Sequence, residues 1–495
     1  MQPEAGYGSI DHMNTYPITD YGAVADTSFN SAPAIQAAVD AAASAGGGTV
    51  VVPAGMSFMT GSFRLAANVT LHLEPGSVLL ASPDIADYSQ VDASLARPES
   101  PTDTETVTPE KSHFWIYAAD AEDVAVTGTG TLDGNAEAFV AEKRKENWVA
   151  ANPRARGLSF FRCRGVRVRD VTIRNTPSWA LHPCGCDDVL IDGITIDNSL
   201  KLVNTDGIDP DCSRNVRISN CRVSTGDDGI VIKACREWAH LGPCENITVT
   251  NCIVRSTCTA IKIGTETHAD IRNVTVSNCV IHESSRGLAI DGRDAGATEN
   301  VLFSDIVIGT RLFDPVWWSK SEPIYIAPLP RPTAEHAPGP LRNVRFRNIL
   351  CRGENGVYVH GWDANRPENI VFDNVRVELG SWTRWEGGTY DPRPTPEDLA
   401  PAGSTGFRER TPWGSLAEHR NAGFFLQCLK NVTLRHCEVH WLQPRGERSE
   451  WFSHALEAHD VTGVKLDDFS GDAAHERQDA VATESCTERS TRRDG

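Results

Sequence analysis

The sequence predicts an all-β protein built as a parallel β-helix, a solenoid in which each coil of the chain stacks on the previous one. A phrase of two short β runs recurs along the chain, and a repeat period of 20–50 residues is typical of solenoids. In each phrase Val, Ile and Thr alternate with polar residues, as in half-buried strands. The central phrases are separated by 23, 27, 31, 27 and 27 residues and begin at Gly165, Asp188, Asn215, Asn246, Asn273 and Asn300. Repeats of this length that contain only strands and turns favour a parallel β-helix.

A short helix is expected to cover the open N-terminal end of the coil. Apolar residues recur at helical spacing from Pro33 to Ser44, with Ser31 or Asn30 as the cap and three glycines as the stop. A strand, TVVVP, follows at once. Because an uncovered strand edge promotes aggregation, we expect this helix to cap the first coil.

Asparagine–cysteine pairs recur at one offset of the phrases. They are Asn220–Cys221, Asn251–Cys252 and Asn278–Cys279, and other phrases carry Ile or Val at the cysteine's offset. Cysteine that alternates with Ile and Val is a small buried hydrophobic residue. We therefore expect buried thiols rather than disulfides, as in a reducing compartment. The asparagine is expected to bend a corner and to join a ladder of stacked side chains.

The repeats define a single β-helix domain over residues 19–470. An N-terminal extension (1–18) precedes it and a polar C-terminal tail (471–495) follows it. Two polar segments, about 93–115 and about 382–421, interrupt the repeats. Long insertions in a compact domain are usually functional or disordered, and we expect these two to close one end of a groove.

Charge and hydropathy disfavour several classes of partner. The formal net charge is −19, which argues against nucleic acid and against an anionic membrane surface. No apolar run approaches the roughly 18 residues of a membrane span. The N-terminus lacks the basic start and apolar core of a signal peptide, so a cytoplasmic location is expected. The sequence does not indicate an oligomeric state.

Three aspartates in two short turns are the strongest candidates for catalysis. Asp206 lies in NTDG, and Asp227 and Asp228 lie in GDDG, which begins one coil later. In a coil whose period is in the twenties, the two turns lie one above the other. Inverting glycoside hydrolysis needs an acid at the leaving oxygen and a carboxylate that activates water. Crowded carboxylates do not all ionise freely, so one of them can serve as the acid.

The motifs NTDG and GDDGIVIK resemble those of glycoside hydrolase family 28, the polygalacturonases and rhamnogalacturonases. The resemblance extends over roughly residues 19 to 470, through DYGAVAD, GTGTLDG, NTPSWALHP and RGLAIDG. It implies a right-handed parallel β-helix that hydrolyses oligo- or polysaccharides with inversion and without a cofactor. The expected substrates are pectin-type or related acidic or deoxy-sugar oligosaccharides, and the two insertions favour exo-action.

The resemblance also assigns roles to particular residues. Asp227 corresponds to the general acid, and Asp206 and Asp228 correspond to the residues that hold the nucleophilic water. The candidate substrate-binding residues, which include possible relocated cations, are Asn204, Lys233, Trp179, His182, Lys262, Arg286 and Arg293.

The chain departs from the family pattern at two places. The Gly-His-Gly turn is expected near 257–260, where the chain reads TCTA, so Cys258 or Thr259 replaces the histidine. The family's Arg-Ile-Lys, which is associated with the substrate carboxylate in polygalacturonases, corresponds to Ala289-Ile290-Asp291. Aspartate in place of lysine reverses the local charge. Either a nearby cation is relocated, or the sugar at that position is neutral.

Two other classes of function stay open at this point. A β-helix lyase or epimerase would need a strong base beside a uronate, and a non-catalytic carbohydrate-binding solenoid would tolerate the departures. No HExxH, paired CxxC or EF-hand spacing occurs, so no metal is expected. Several tryptophans are candidates for stacking on sugar rings: Trp317, Trp318, Trp362, Trp382 and Trp385.

Overall fold

Coils of parallel strands form the body of the protein and confirm the predicted parallel β-helix. The computed structural model describes residues 14–88, 113–332, 336–396, 399–411, 414–445, 447, 449–487 and 490–492. Within these residues the coils build three parallel sheets, named A, B and C here. Residues of successive coils pair in register, so that Val216 lies beside Val189 and Ile247.

Sheet A contains the first β run of each phrase. Its strands are Thr15–Pro17, Gly48–Val52, Val69–Leu73, Ala125–Gly128, Arg164–Arg169, Asp187–Asp192, Arg214–Ser219, Cys244–Thr250, Ile271–Ser277, Thr298–Thr310, Leu341–Gly353, Glu368–Leu379, Phe424–Arg435, Leu456–Asp467 and Ser490–Arg492.

Sheet B contains the second β run of each phrase. Three strands of sheet A continue into it: Thr298–Thr310, Leu341–Gly353 and Glu368–Leu379. Its separate strands are Ser57–Thr60, Val78–Ala81, Thr131–Asp133, Thr172–Arg174, Thr195–Asp197, Arg222–Thr225, Ile253–Ser256, Val280–Ser284 and Glu438–Trp441.

Sheet C follows the turns that carry the candidate aspartates. Its separate strands are Phe63–Arg64, Phe114–Ala119, Arg156–Phe161, Leu181–Cys184, Ile230–Ala234, Thr259–Thr267, Arg286–Gly292, Ile324–Ile326, Val357–His360 and Val481–Glu484. The first halves of the strands at Phe424 and Leu456 complete it by pairing with Val357 and Val481.

Antiparallel strands occur in two places beside the coil. One is a hairpin of Val140–Lys143 and Trp148–Ala150. The other is a small sheet of Thr389–Tyr390, Gly406–Thr411 and Gly414–Glu418 inside the predicted 382–421 insertion. Short 3₁₀ turns lie at Ile18–Tyr21, Ile85–Asp87, Ala136–Phe139 and Ala239–Leu241.

The predicted capping helix spans Ala32–Ser44. The Asn30 side chain, one of the two predicted caps, accepts a hydrogen bond from the Ala32 amide at 3.0 Å. Ile35 and Val39 are fully buried against the first coil. No helix among the described residues is long and apolar enough to cross a membrane.

All 14 cysteines lie within the described residues and are free thiols, and all but Cys428 and Cys486 are buried. Cys221, Cys252 and Cys279 occupy the interior positions that Ile306, Ile349 and Val375 fill in other coils. This confirms the prediction that cysteine replaces aliphatic residues in the core. Inward-facing Val, Ile, Leu and Phe of the coils fill the remaining interior.

Two predicted segments lie largely outside the described residues, and the predicted C-terminal tail differs from the prediction. Residues 1–13 and 89–112 lie outside them, which removes most of the predicted 1–18 extension and 93–115 insertion from view. The predicted polar tail contains two short strands, Val481–Glu484 and Ser490–Arg492, which pair with Leu456–Asp467. These two strands were not predicted because the segment is polar. The last strands of a solenoid have a neighbouring coil on one side only, so they bury fewer apolar side chains.

Asparagines with left-handed backbone form a ladder along one corner of the coil. The phrase-start asparagines have φ between 56° and 59°. Each one after Asn215 donates from Nδ2 to the Oδ1 of its counterpart in the preceding coil, at 3.1–3.4 Å, whereas Asn215 donates to Asp187 at 2.7 Å. The members are Asn215, Asn246, Asn273, Asn300, Asn343 and Asn369. The predicted corner asparagines also adopt this conformation, and Asn251 donates to Asn220 at 2.6 Å.

Asn273→Ala is expected to lower the free energy of unfolding by about 2 kcal/mol. The left-handed conformation costs an alanine roughly 1–2 kcal/mol, and the exposed ladder hydrogen bonds add a smaller loss. Asn273→Gly keeps the backbone conformation and loses only the ladder, so it should be milder. Urea denaturation should rank the proteins as wild type, glycine variant, alanine variant. An alanine variant as stable as the glycine variant would contradict this account.

Candidate active site

The candidate residues lie in one column at the start of sheet C. In this sheet Ile208 and Ile230 pair across adjacent coils, and the pairing continues to Ile261 and Leu288. The residues two positions before these paired residues form a column of equivalent positions in successive coils. These residues are Trp179, Asp206, Asp228, Thr259, Arg286 and Glu322. The two turns therefore lie one above the other, as predicted, but the residue equivalent to Asp206 in the next coil is Asp228 and not Asp227.

The two aspartate turns hold each other in place. The Gly226 amide donates to Thr205 Oγ1 at 3.1 Å, and the Asn204 amide donates to Asp227 Oδ2 at 2.8 Å. A Cβ atom at Gly226 would lie 2.4 Å from the Leu202 carbonyl oxygen, so only glycine permits this approach. The spacing of NTDG and GDDG thus reflects direct contact between the two turns.

The next coil secures the GDDG turn from the other side. Ser256 Oγ donates to the Asp227 carbonyl at 2.6 Å, and Thr257 Oγ1 donates to the Gly226 carbonyl at 3.0 Å. Because hydroxyls of two successive coil residues bind its backbone, the turn that presents Asp227 is rigid.

The three aspartates present their carboxylates to one cleft. Asp206 and Asp228 are buried, whereas Asp227 is partly exposed. An oxygen of Asp227, an oxygen of Asp228 and Sγ of Cys258 lie within 4.8 Å of one another. Among the described residues, none donates a hydrogen bond to Asp206 Oδ1 or Asp228 Oδ1. Both oxygens can therefore accept a hydrogen bond from a water or from substrate.

Lys262 neutralises one side of this group. Its Nζ lies 2.9 Å from Asp228 Oδ2. Burial alone would lower the pKa of Lys262, but Asp228 and Asp291 outweigh burial and raise it. Asp227, Asp228 and Cys258 are close enough together to bind a metal ion. The Lys262 ammonium already supplies a positive charge at this position.

Lys233 is shared by three buried carboxylates. Its Nζ lies 3.5 Å from Asp206, 3.6 Å from Glu266 and 3.9 Å from Asp209. Burial disfavours the ammonium, yet these acids hold the pKa of Lys233 well above its usual value. Burial and the charge of Asp227 raise the pKa of Asp206, although Lys233 opposes this. A cluster with three carboxylates and one ammonium favours a retained proton.

Asp209 is a site residue that the sequence analysis missed. It is fully buried, and no described residue donates a hydrogen bond to either of its carboxylate oxygens. Burial and the neighbouring Asp206 raise its pKa well above the usual range, with Lys233 opposing. Its position three residues after Asp206 in NTDGID was an available signal, because both residues follow the same turn.

Trp179 supports the site rather than exposing a stacking face. The Arg156 guanidinium lies 4.1 Å from the centre of its ring, and Lys233 Nζ lies 4.4 Å from it. Trp179 lines the cleft but is buried. Its π system therefore stabilises the ammonium that pairs with Asp206.

The prediction that His182 contacts substrate is corrected by its burial. His182 is 0 % exposed and lies behind Trp179, with ring centres 5.0 Å apart. Arg156 donates to its Nδ1 at 2.8 Å, and Nε2 lies 3.3 Å from Asp211 Oδ2. Burial lowers the pKa of His182 to about 4, although Asp211 opposes the shift. A neutral, buried His182 thus packs edge-on against Trp179.

Arg293, another predicted substrate contact, is also turned away from the cleft. Its side chain is 0 % exposed, and Nε donates to Asp291 Oδ1 at 2.6 Å. Its terminal nitrogens donate to the carbonyls of Pro392 and Pro394 at 3.1 and 2.9 Å. Arg293 therefore fixes the 382–421 insertion to the coil, because its donors are used for backbone carbonyls.

Arg286 lines the cleft but is paired as well. It lies 3.3 Å from Glu322, and its guanidinium stacks 3.4 Å from the centre of the Tyr325 ring. Burial opposes its charge, but Glu322 raises the pKa of Arg286 above its usual value. Asn204 also lines the cleft and accepts a hydrogen bond from Arg154 at 3.1 Å.

Loops and insertions form the walls of a cleft of about 320 Å³ above the aspartates. One wall contains the hairpin residues Asn147 and Ala150, and the other contains Trp317, Trp318 and Pro394. Of the predicted stacking tryptophans, Trp317 and Trp318 line this cleft, whereas Trp362, Trp382 and Trp385 do not belong to its lining.

The loop that carries the two cleft tryptophans is held in an unusual conformation. Ser319 and Ser321 have φ of 76° and 68°, although neither is glycine, and both are buried. The Lys320 amide donates to Glu322 at 2.7 Å, and the Ser319 amide donates to Asp391 of the insertion. Such backbone persists only where the surroundings fix it, so the position of Trp318 is set by both the coil and the insertion.

Comparison with known proteins identifies the family. The sequence model of the Glycosyl hydrolases family 28 matches residues 91–387. The chain belongs to this family. It is 30% identical over 275 residues to a probable polygalacturonase of Vitis vinifera, with 52% of each chain covered. It is 28% identical over 244 residues to an exopolygalacturonase of Platanus acerifolia, which covers 48% of this chain and 56% of that relative. The chain thus spans about half the length of these curated relatives.

Solved structures agree with the fold. An exopolygalacturonase of Thermotoga maritima superposes with a TM-score of 0.60 at 24% identity, covering 74% of this chain and 87% of that one. A family 28 exopolygalacturonase of Yersinia enterocolitica gives 0.62 at 16% identity, covering 97% and 78%. At these identities the likeness concerns the β-helix itself.

The two departures from the family 28 motifs both lie in the cleft. Cys258, in the TCTA turn, lines the cleft beside Asp227 and Asp228. Asp291 lines it next to Lys262, while Ala289 is buried. The altered positions therefore face the space where a substrate would bind.

Asp209→Asn is expected to make the family 28 chain at least as stable as wild type at pH 7. The folded-state pKa of Asp209 is raised, so above about pH 4 the unfolded chain releases a proton that the folded chain keeps, and stability falls as pH rises. Asparagine removes this loss without changing the shape. Thermal unfolding from pH 5 to 8 should show a weaker decline for the variant. A loss of stability at pH 7 would instead indicate an ionised Asp209.

Proposed function

We propose that the chain is an inverting, exo-acting glycoside hydrolase of pectin-type or related oligosaccharides. The observation that carries the proposal is the arrangement of the aspartates in adjacent coils. Asp206 Oδ1 and Asp228 Oδ1 are buried acceptors without a donor among the described residues, and the more exposed Asp227 lies beside them. This arrangement suits a bound water on one side and a glycosidic oxygen on the other.

In this mechanism Asp227 donates a proton to the leaving oxygen. The Asn204 and Asp228 amides, at 2.8 and 2.9 Å, orient its carboxyl group, and it faces the cleft. Asp206 and Asp228 accept hydrogen bonds from the attacking water, and Asp228 takes its proton. Lys262 holds the other oxygen of Asp228 and so directs the free one toward the water.

Two observations support inversion: the resemblance to family 28, and the two carboxylate oxygens, Asp206 Oδ1 and Asp228 Oδ1, that can accept hydrogen bonds from one water. The closest oxygens of Asp227 and Asp228 lie within 4.8 Å, nearer than the roughly 6.5–9.5 Å common between carboxyl groups of inverting enzymes. The water would therefore be held mainly between Asp206 and Asp228, with Asp227 toward the leaving group. The anomeric form of the first product tests this directly.

Exo-action is supported by the contact between the two cleft walls. Glu146 of the hairpin accepts a hydrogen bond from Trp317 Nε1 at its carbonyl, at 3.3 Å, and its carboxylate pairs with Arg384 of the insertion. Walls joined in this way would stop a chain from passing through the cleft. A cleft of about 320 Å³ suits one or two sugar units rather than a long polymer.

The experiment is hydrolysis of a pectic oligosaccharide panel by wild type, Asp227→Asn and the exposed control Asp40→Asn. General acid catalysis contributes about 10²–10⁴-fold, so Asp227→Asn should lose activity by hundreds-fold or more, and the control should not. An activated aryl glycoside needs less protonation of its leaving group. The loss on such a substrate should therefore be clearly smaller.

Product analysis separates this proposal from its alternatives. Proton NMR of the first product should show the inverted anomer, and chromatography should show shortening from one end. An unsaturated product that absorbs in the ultraviolet would instead indicate a lyase. Binding of the panel without turnover by any variant would indicate a carbohydrate-binding solenoid.

A further inference from the structure

One part of the cleft, beside the aspartates, has a charge arrangement that bears on the substrate. Lys262 pairs in register with Ala289 of the next coil, and Asp291 follows on the same face. Trp318 lines the same cleft, and its ring centre lies 5.0 Å from the Arg393 guanidinium. We call the space bounded by Lys262, Asp291, Trp318 and Arg393 the Asp291 subsite.

The cations that border the Asp291 subsite are already paired within the protein. Lys262 Nζ lies 2.9 Å from Asp228, and Arg393 binds both oxygens of Asp391 at 2.6 and 2.7 Å. Arg393 and Asp391 are nearly inaccessible, at 1 % side-chain exposure each. Removing one partner from such a buried pair is strongly unfavourable.

The two further cations of this cleft region are committed in the same way. Arg286 contacts Glu322 at 3.3 Å and stacks on Tyr325. Arg331 contacts both oxygens of Asp294, at 3.2 and 3.4 Å. A substrate carboxylate would therefore compete with a protein carboxylate for each of these four cations.

Asp291 places a carboxylate, rather than a further cation, in the lining of the cleft, although its side chain is only 5 % exposed. It forms an ion pair with the buried Arg293, at 2.6 Å, and the terminal nitrogens of Arg293 donate to backbone carbonyls. Like charges brought together suppress binding of the wrong ligand. Asp291 would thus repel a uronate but accept hydrogen bonds from sugar hydroxyls.

The opposite wall of the subsite offers apolar surface. Val316 is 44 % exposed and lines the cleft with Trp317 and Trp318. Aromatic and aliphatic side chains contact the C–H faces of a pyranose ring without needing a charge on the ligand.

We propose that the Asp291 subsite binds a neutral sugar, such as a hexose or a 6-deoxyhexose, and discriminates against a uronic acid. The inference rests on the proposed glycosidase function and narrows its substrate class. The preferred substrate is then an oligosaccharide whose unit at this subsite lacks a carboxylate, even when its other units are acidic.

The test compares α-1,4-linked trigalacturonate with the same trisaccharide after its carboxyl groups are reduced to alcohols. Wild type should show at least about tenfold higher kcat/KM on the reduced form. Asp291→Asn removes the charge and keeps the shape, so it should lower this preference severalfold. Asp291→Lys should lower it further or reverse it. Asp40→Lys, an exposed change outside the cleft lining, makes a similar change in net charge and should leave the preference unchanged.

Controls separate this inference from the proposed function. If neither trisaccharide is hydrolysed, calorimetric titration of both into Asp227→Asn still measures the preference, and tighter binding of the reduced form supports the inference. Turnover with equal or better kcat/KM on trigalacturonate would overturn it while leaving the hydrolase proposal intact. Failure to bind either trisaccharide would also count against it. If Asp291→Lys unfolds, Asp291→Asn and wild type still decide the result.

Discussion

The hydrogen-bonded register between successive coils is the constraint on which the rest of the structure depends. Parallel strands place equivalent residues of neighbouring coils about 4.8 Å apart, so each position is stacked on its own counterparts. The arrangement favours residue types that interact well with the same residue type in the neighbouring coil. Asn246 and Asn273 do so through their amides, and Cys221 and Cys252 do so as small interior groups.

The same register brings like charges together wherever an acid is repeated. Asp206 and Asp228 occupy one column, so their repulsion must be offset locally. Lys262 offsets it for Asp228, and Lys233 offsets it for Asp206. Trp179 contacts the Lys233 ammonium with its ring. The candidate catalytic carboxylates that face one cleft therefore depend on buried cations.

The repetitive part of the structure could be predicted because its signals are local. Alternating β runs, asparagine corners and the spacing of Asp206 from Asp227 all recur within one or two coils, and the β-helix and the stacked turns follow from them. Whether a side chain near the site is buried or exposed is harder to predict from the sequence. His182 lies near the site in sequence, but it is fully buried, and Arg156 and Asp211 hold it.

The walls could not be predicted because their contacts join distant parts of the chain. Arg293 binds carbonyls about 100 residues away, and Glu146 meets Arg384 over a separation of 238 residues. No local sequence pattern predicts such long-range pairs. Asp209 was overlooked for a different reason: its spacing from Asp206 places it near the site, but spacing alone does not show that a carboxyl group is buried without donors.

These distant contacts also determine what the cleft can select. Arg293 holds the insertion through backbone carbonyls and holds Asp291 through its carboxylate. One buried guanidinium thus fixes both the position of a wall and the charge of the surface that faces it. A lysine at Asp291 would therefore disturb the support of the wall as well as the ligand, whereas an asparagine oxygen can still accept the hydrogen bond from Arg293. Shape and charge selection at this end of the cleft are physically coupled, because they share a single buried cation.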